Sequence, residues 1–182
     1  APYKNLQGRS IILDIYATDH VGKQYNIEIQ RADRGAGAKR ARYHSSLIDA
    51  NVTEPGDKLE NLAETYVIFI TERDVMGDGL PIYHINRVVE ETGKKFQDEA
   101  HIIYVNGAYR AQSPLGILMH DFSCTDPNDI TYEVLAERVR YFKEDAEGVA
   151  AMCKAMEDMR NEAVMDERKD VACRLLKMGG MA

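Results

Sequence analysis

The sequence has no tryptophan, few cysteines and no apolar run near the roughly 20 residues that a membrane-spanning helix needs. Each shortage removes a class of protein. Without such a run, and without a basic-then-apolar leader at the start, no membrane partner is expected and the expected address is the cytoplasm. Cys124, Cys153 and Cys173 are odd in number, far apart and never spaced Cys-x-x-Cys, which argues against a disulfide framework and a zinc ribbon. Excess positive charge is lacking too. The formal net charge of −7 opposes indiscriminate nucleic-acid binding, because that affinity comes from Lys and Arg displacing counterions at phosphates. There is no internal repeat and no low-complexity segment.

What is present is the balance of a folded chain: 45% hydrophobic and 29% charged residues over 182 positions. That length suits one domain with a helical appendage. Ala1 is not Met and a strand pattern begins at Ile11, so an N-terminal segment is expected to be absent. The net charge hides a local patch: Arg31, Arg34, Lys39, Arg40 and Arg42 stand against Asp33 alone, five basic residues to one acidic, a balance of +4.

Ile11 to Tyr16 is mostly β-branched and aromatic, and Gln24 to Gln30 alternates polar with apolar residues, so both read as strands with a turn over Thr18 to Lys23. Ala38 to Asp49 has good helix formers early and apolar residues late, and Pro55-Gly56 closes the segment. Thr65 to Thr71 is near-continuously apolar, the pattern of a central strand buried on both faces. Ile82 to Asn86 and His101 to Asn106 complete about five strands. A hairpin, a helix and then a buried strand predict an α/β fold: a mixed β-sheet of about five strands flanked by helices, with a right-handed crossover. Past Pro114 the strand signals stop. Asp126 to Asp129 offers caps, Tyr132 to Lys143 is amphipathic, and Val149, Met152, Met156 and Met159 begin an apolar stripe running toward Lys177, with Gly179-Gly180 closing it. The domain expectation is a core over 1–112 and a helical region over 113–182. The stripe is read as packing, within the chain or in a homodimer formed through the C-terminal helices.

Side chains opposite each other in an antiparallel pair share a face, so the register can be chosen by sorting. Centring the turn near Val21 pairs Leu13 with Ile29, Ile15 with Ile27 and Ala17 with Tyr25, an apolar face expected to meet the core. The same register sets Asp14 opposite Glu28 and Ile12 opposite Gln30. Two carboxylates that close repel each other unless a cation lies between them, and a divalent ion would serve phosphodiester hydrolysis. As a pattern this polar face is also what any solvated hairpin shows. The five histidines have no metal-ligand spacing and are read as structural or exposed.

Asp14, then thirteen residues, then Glu28-Ile29-Gln30, followed by a helix bearing Lys39-Arg40-Ala41-Arg42-Tyr43, resembles the PD-(D/E)XK nuclease superfamily, and within it the nuclease family transposases of the bacterial, recombination-promoting branch. The resemblance runs on through Leu118 to Phe122 and Arg138 to Lys143. It implies a restriction-endonuclease-like core and metal-dependent cleavage of DNA. Asp14 and Glu28 would be ligands of Mg²⁺ or Mn²⁺, with the Ile29 carbonyl a third. Gln30 takes the position where many relatives carry Lys. It can orient a water but brings no positive charge. Lys39, Arg40, Arg42 and Tyr43 would meet DNA phosphates. The family often draws a further acidic residue from a helix before the first strand, which would precede Ala1. Two other readings compete: a nuclease fold without catalysis that binds DNA or protein, and a structural α/β protein.

Overall fold

A computed structural model of the chain describes residues 2, 3, 11–30 and 35–179. Arg31, Asp33 and Arg34 of the basic segment, and Gly180, lie outside the described residues. The chain forms two compact units, Ala1–Phe122 and Ser123–Ala182.

The first unit opens with a small antiparallel pair, β1 (Pro2–Tyr3) and β2 (Ile11–Ile12). Next come β3 (Ile15–Thr18), β4 (Gln24–Gln30), α1 (Ala38–Val52) and β5 (Thr65–Thr71). A 3-10 turn (Leu59–Asn61) before β5, β6 (Ile82–Ile85), a hairpin of the two-residue strands β7 (Val88–Val89) and β8 (Lys94–Lys95), β9 (Ala100–Asn106) and α2 (Pro114–Asp121) complete it. The main sheet has the order β3-β4-β5-β9-β6. β4, β5 and β9 are parallel, while β3 and β6 run antiparallel at the two edges. This is the mixed five-stranded α/β sheet expected from the pattern. The apolar continuity of β5 puts it in the middle.

The β3–β4 turn is made by Asp19, whose Oδ1 accepts the Val21 and Lys23 N–H groups at 3.0 and 2.9 Å, and by Gly22 at φ +91°. That short loop fixes the register. Ile15 lies opposite Ile27, Tyr16 opposite Asn26 and Ala17 opposite Tyr25, as sorting predicts.

The expected strand Ile11 to Tyr16 is broken at Leu13-Asp14. An unbroken register would leave Leu13 opposite Ile29. Instead Leu13, 1% exposed, turns in among Ala41, Ile48, Val67, Phe69 and Tyr104. A local break of this kind re-aims the neighbouring side chain. The expectation for the two sheet faces is also corrected. The face carrying Ile15 and Ile29, 45% and 49% exposed, is the more open one, whereas Asn26 and Glu28 on the polar face are fully buried. α1 lies on that polar face, contacting β5 and β9, and supplies hydrogen-bond partners there. In β5, Thr65, Val67, Phe69 and Thr71 are buried and the alternate residues only partly so. The strand is central but closed on one face. Phe69 stacks on Tyr104 at 5.5 Å, and the Tyr104 hydroxyl donates to the Ala36 carbonyl at 2.8 Å.

α2 has no counterpart in the periodicity reading. Its signal was local: Ser113 accepts the Gly116 N–H at 3.2 Å, and Pro114 follows at the first helical position.

The second unit consists of a 3-10 turn (Pro127–Asp129), α3 (Glu133–Glu144) and α4 (Ala146–Gly179). Asp145 Oδ1 accepts the Glu147 and Gly148 N–H groups at 2.9 and 3.3 Å and starts α4. The corner is tight, since a Cβ at Gly148 would collide with the Tyr141 carbonyl. Arg138 covers the rings of Tyr141 and Phe142, with its guanidinium carbon 5.1 and 4.2 Å from their centroids. Met152, Met156 and Met159 are exposed on α4.

Candidate active site at the end of the β3–β4 hairpin

The break at Leu13-Asp14 places Asp14 immediately before the first residue of β3, beside the last residues of β4. Its Oδ2 accepts the Ile29 N–H at 3.0 Å, taking the place of a strand carbonyl. Its own N–H donates to Glu28 Oε1 at 3.4 Å. Asp14 and Glu28 therefore meet at one sheet edge, on neighbouring segments, and Asp14 is exposed while Glu28 is not. N–H and C=O of one strand residue point to the same side. Since the Ile29 N–H faces Asp14, the Ile29 carbonyl leaves by that edge too. The Gln30 carbonyl faces β5 and accepts the Glu72 N–H at 3.1 Å.

A carboxylate with no exposure needs partners. Arg40 Nη2 donates to Glu28 Oε2 at 3.2 Å, and His44 Nδ1 lies 3.6 Å from Oε1. Burial pushes the Glu28 carboxyl up. The Nδ1 side of His44, the Asp14 N–H and the Arg40 guanidinium outweigh burial and hold it below the ordinary carboxylate value.

His44, 2% exposed, is the residue that sequence reasoning missed here. Its nitrogens are distinguished by chemistry. Arg40 Nε has only a proton to offer and lies 3.2 Å from Nε2, so Nε2 accepts and the ring proton sits on Nδ1. Nδ1 lies 3.1 Å from the Asn26 amide. With that amide turned so that its oxygen faces the ring, Asn26 Oδ1, a buried atom otherwise without a partner, accepts from Nδ1–H. Two spacings signal the cluster: Arg40 and His44 are four apart on one helical face, and Asn26 lies two before Glu28 on one strand face.

Gln30 continues that strand face. Its amide lies over Gly35, where a Cβ would collide with Gln30 Oε1. A backbone without a side chain is what lets Gln30 lie there. Lys39 and Arg42 are exposed on α1 and Tyr43 is half-buried. The hydrogen bonds thus bring Asp14, Glu28, Ile29 and Arg40 together, and Lys39, Arg42 and Tyr43 follow on the same helix.

The donor set at this edge is oxygen only, two carboxylates and one backbone carbonyl, which suits a hard divalent cation such as Mg²⁺ or Mn²⁺. It stands at the carboxyl end of a parallel strand, where open α/β sheets bind ligands. The class the fold and site define is a mixed α/β protein whose sheet carries an acidic edge beside a basic helix. The particular family follows from comparison. A family model described as PD-(D/E)XK nuclease family transposase matches residues 2–108, more than half of the chain, and the protein belongs to that family. Nucleases of this kind generally use divalent metals. No curated protein and no solved structure matches the chain. Among the described residues, no helix is long and apolar enough to cross a membrane.

Proposed function

We propose that the chain is a Mg²⁺- or Mn²⁺-dependent DNA endonuclease acting in transposition or recombination. The observation that supports it most is the Asp14–Ile29–Glu28 arrangement, in which the Ile29 N–H donates to Asp14 Oδ2 and the Asp14 N–H donates to Oε1 of buried Glu28. Asp14, Glu28 and the Ile29 carbonyl would hold the metal. When bound, the ion polarises the phosphoryl oxygen and lowers the pKa of its water. Glu28, held at Oε1 by the Asp14 N–H, keeps its orientation. Asp14, the more exposed carboxylate, meets the incoming phosphodiester side. Gln30 Oε1 accepts a hydrogen bond from the attacking water and aligns it, since an amide can orient water without carrying charge. Lys39, Arg42 and Tyr43, with Arg40, offer cations and a hydroxyl to the phosphates on either side.

The test is metal-dependent nicking of supercoiled plasmid. Nicking in Mg²⁺ or Mn²⁺ that EDTA stops, and that Asp14→Ala and Glu28→Gln each reduce by at least about 100-fold with circular dichroism unchanged, supports the reading. Nicking that survives both substitutions refutes it. A second reading, a nuclease fold without catalysis that binds DNA or protein, is favoured by Gln30 standing where many relatives carry Lys. It predicts salt-sensitive DNA binding with no nicking.

A further inference from the structure

Arg40 differs from its basic neighbours. Lys39 and Arg42 are exposed on α1, but the Arg40 guanidinium is turned inward, bonded to Glu28 Oε2 through Nη2 and to His44 Nε2 through Nε, both at 3.2 Å. The three side chains differ in access. Glu28 and His44 are closed to solvent, whereas the Arg40 side chain is 42% exposed and reaches the carboxylate from outside. Arg40 is therefore the one group of the cluster that can leave without unpacking the core. It also stands where a divalent ion would be unwelcome: an ion bound to a Glu28 oxygen would sit beside a fixed positive charge, and like charges at that range repel.

We propose that Arg40 is the resident counter-cation of this pocket, holding the Glu28 carboxylate while no ion is bound and moving out to a DNA phosphate when a divalent ion takes over that charge. The inference rests on the metal reading above and adds an exchange to it. The Asp14 N–H stays on Glu28 Oε1 in both states, beside buried His44, so the carboxylate gives up one partner and keeps its orientation. Arginine suits both positions, because its planar fork bonds carboxylate and phosphate in the same geometry and carries its charge at every working pH. Metal binding and DNA anchoring are then coupled through one side chain: each ion bound frees one guanidinium for phosphate.

An Arg40 that only positions Glu28 would predict the opposite metal response, and this separates the two roles. Mn²⁺ is titrated by calorimetry and by electron paramagnetic resonance into the full chain as wild type, Arg40→Met, Arg40→Lys and Asp14→Ala. Arg40→Met keeps the stem and removes the charge, and it should bind Mn²⁺ at least about 5-fold more tightly than wild type. Arg40→Lys keeps the charge and should stay within about 2-fold of wild type. A second readout is duplex DNA binding with and without Ca²⁺, where the ion should strengthen binding by wild type more than by Arg40→Met. If Arg40→Met does not fold, Arg40→Gln takes its place with the same expectation. Unchanged or weaker Mn²⁺ binding by the neutral variant, with Asp14→Ala still abolishing it, overturns the exchange and leaves the metal site standing. Absence of Mn²⁺ binding in both wild type and the neutral variant overturns both.

Discussion

Replacing Glu64 by Gln tests what holds the other end of the sheet. Glu64 lies just before β5, where Lys23 Nζ reaches its Oε2 at 2.6 Å, the Tyr66 hydroxyl donates to Oε1 at 2.5 Å and His101 Nε2 lies 3.1 Å from the same oxygen. His101 also meets Asn86 at 2.7 Å, and the rings of Tyr25, Tyr66 and His101 stack in a row across β4, β5 and β9 at 5.1 and 4.7 Å. The Lys23 and Tyr66 bonds lower the Glu64 carboxyl against a smaller opposing effect of burial, with the Lys23 charge and His101 helping, from 4.5 to about 2. A shift of that size corresponds to about 3 kcal/mol if fully retained. Water reaches the pair, since the Glu64 and Lys23 side chains are 23% and 37% exposed. Screening leaves about 1–2 kcal/mol. The folded value is the lower one, so this stability is fully present above pH 4.5 and is lost as pH falls through about 2. Glu64→Gln should therefore lower the melting temperature at pH 7 by roughly 3–8 °C, and the gap to wild type should narrow steadily below pH 4.5. Thermal unfolding by circular dichroism at pH 7, 4 and 2.5 measures the gap, and a carbon NMR titration of Glu64 reads the low value directly. A gap equally wide at pH 2.5 and pH 7 would show that the carboxylate charge is not its source.

Glu28 follows the same sign. Its folded value is lowered, so its contribution is present above 4.5 and declines as pH falls through the folded value. Urea titrations should show a smaller cost of Glu28→Gln in acid than at pH 7. Phe69, fully buried between His44 and Tyr104, should cost about 3–5 kcal/mol on replacement by Ala, read from the urea midpoint. Gly35→Ala should cost at most about 1 kcal/mol, because the added Cβ meets only the far end of the Gln30 side chain, which swings aside. The double variant Gly35→Ala, Gln30→Ala should regain most of that loss, and an equal loss in single and double variants would mean the collision is not its cause.

Much of the fold was legible because its strands are short and strongly patterned. β4 and β5 are found at Gln24–Gln30 and Thr65–Thr71 as read, and the hairpin register follows from sorting side chains two by two. α2 escaped because eight residues give too little periodicity, although Ser113-Pro114 marks its start. The face assignment failed for a physical reason. Sorting by polarity tells which side chains go together, but it assumes that the apolar set is the buried one. Here α1 brings Arg40 and His44 down onto Asn26 and Glu28, and a polar face whose members find partners can be closed while isoleucines stay open.

The sequence by itself determined α1 and the inner strands of the main sheet, the pairing of the hairpin and the neighbourhood of Asp14 and Glu28, because each of these depends on residues close in the chain or on a register with one good solution. Tertiary structure alone decided the break that turns Leu13 inward and Asp14 toward Ile29, the burial of Glu28, and the recruitment of His44. Those depend on which helix covers which face of the sheet, a choice made by packing over distances that local pattern does not reach.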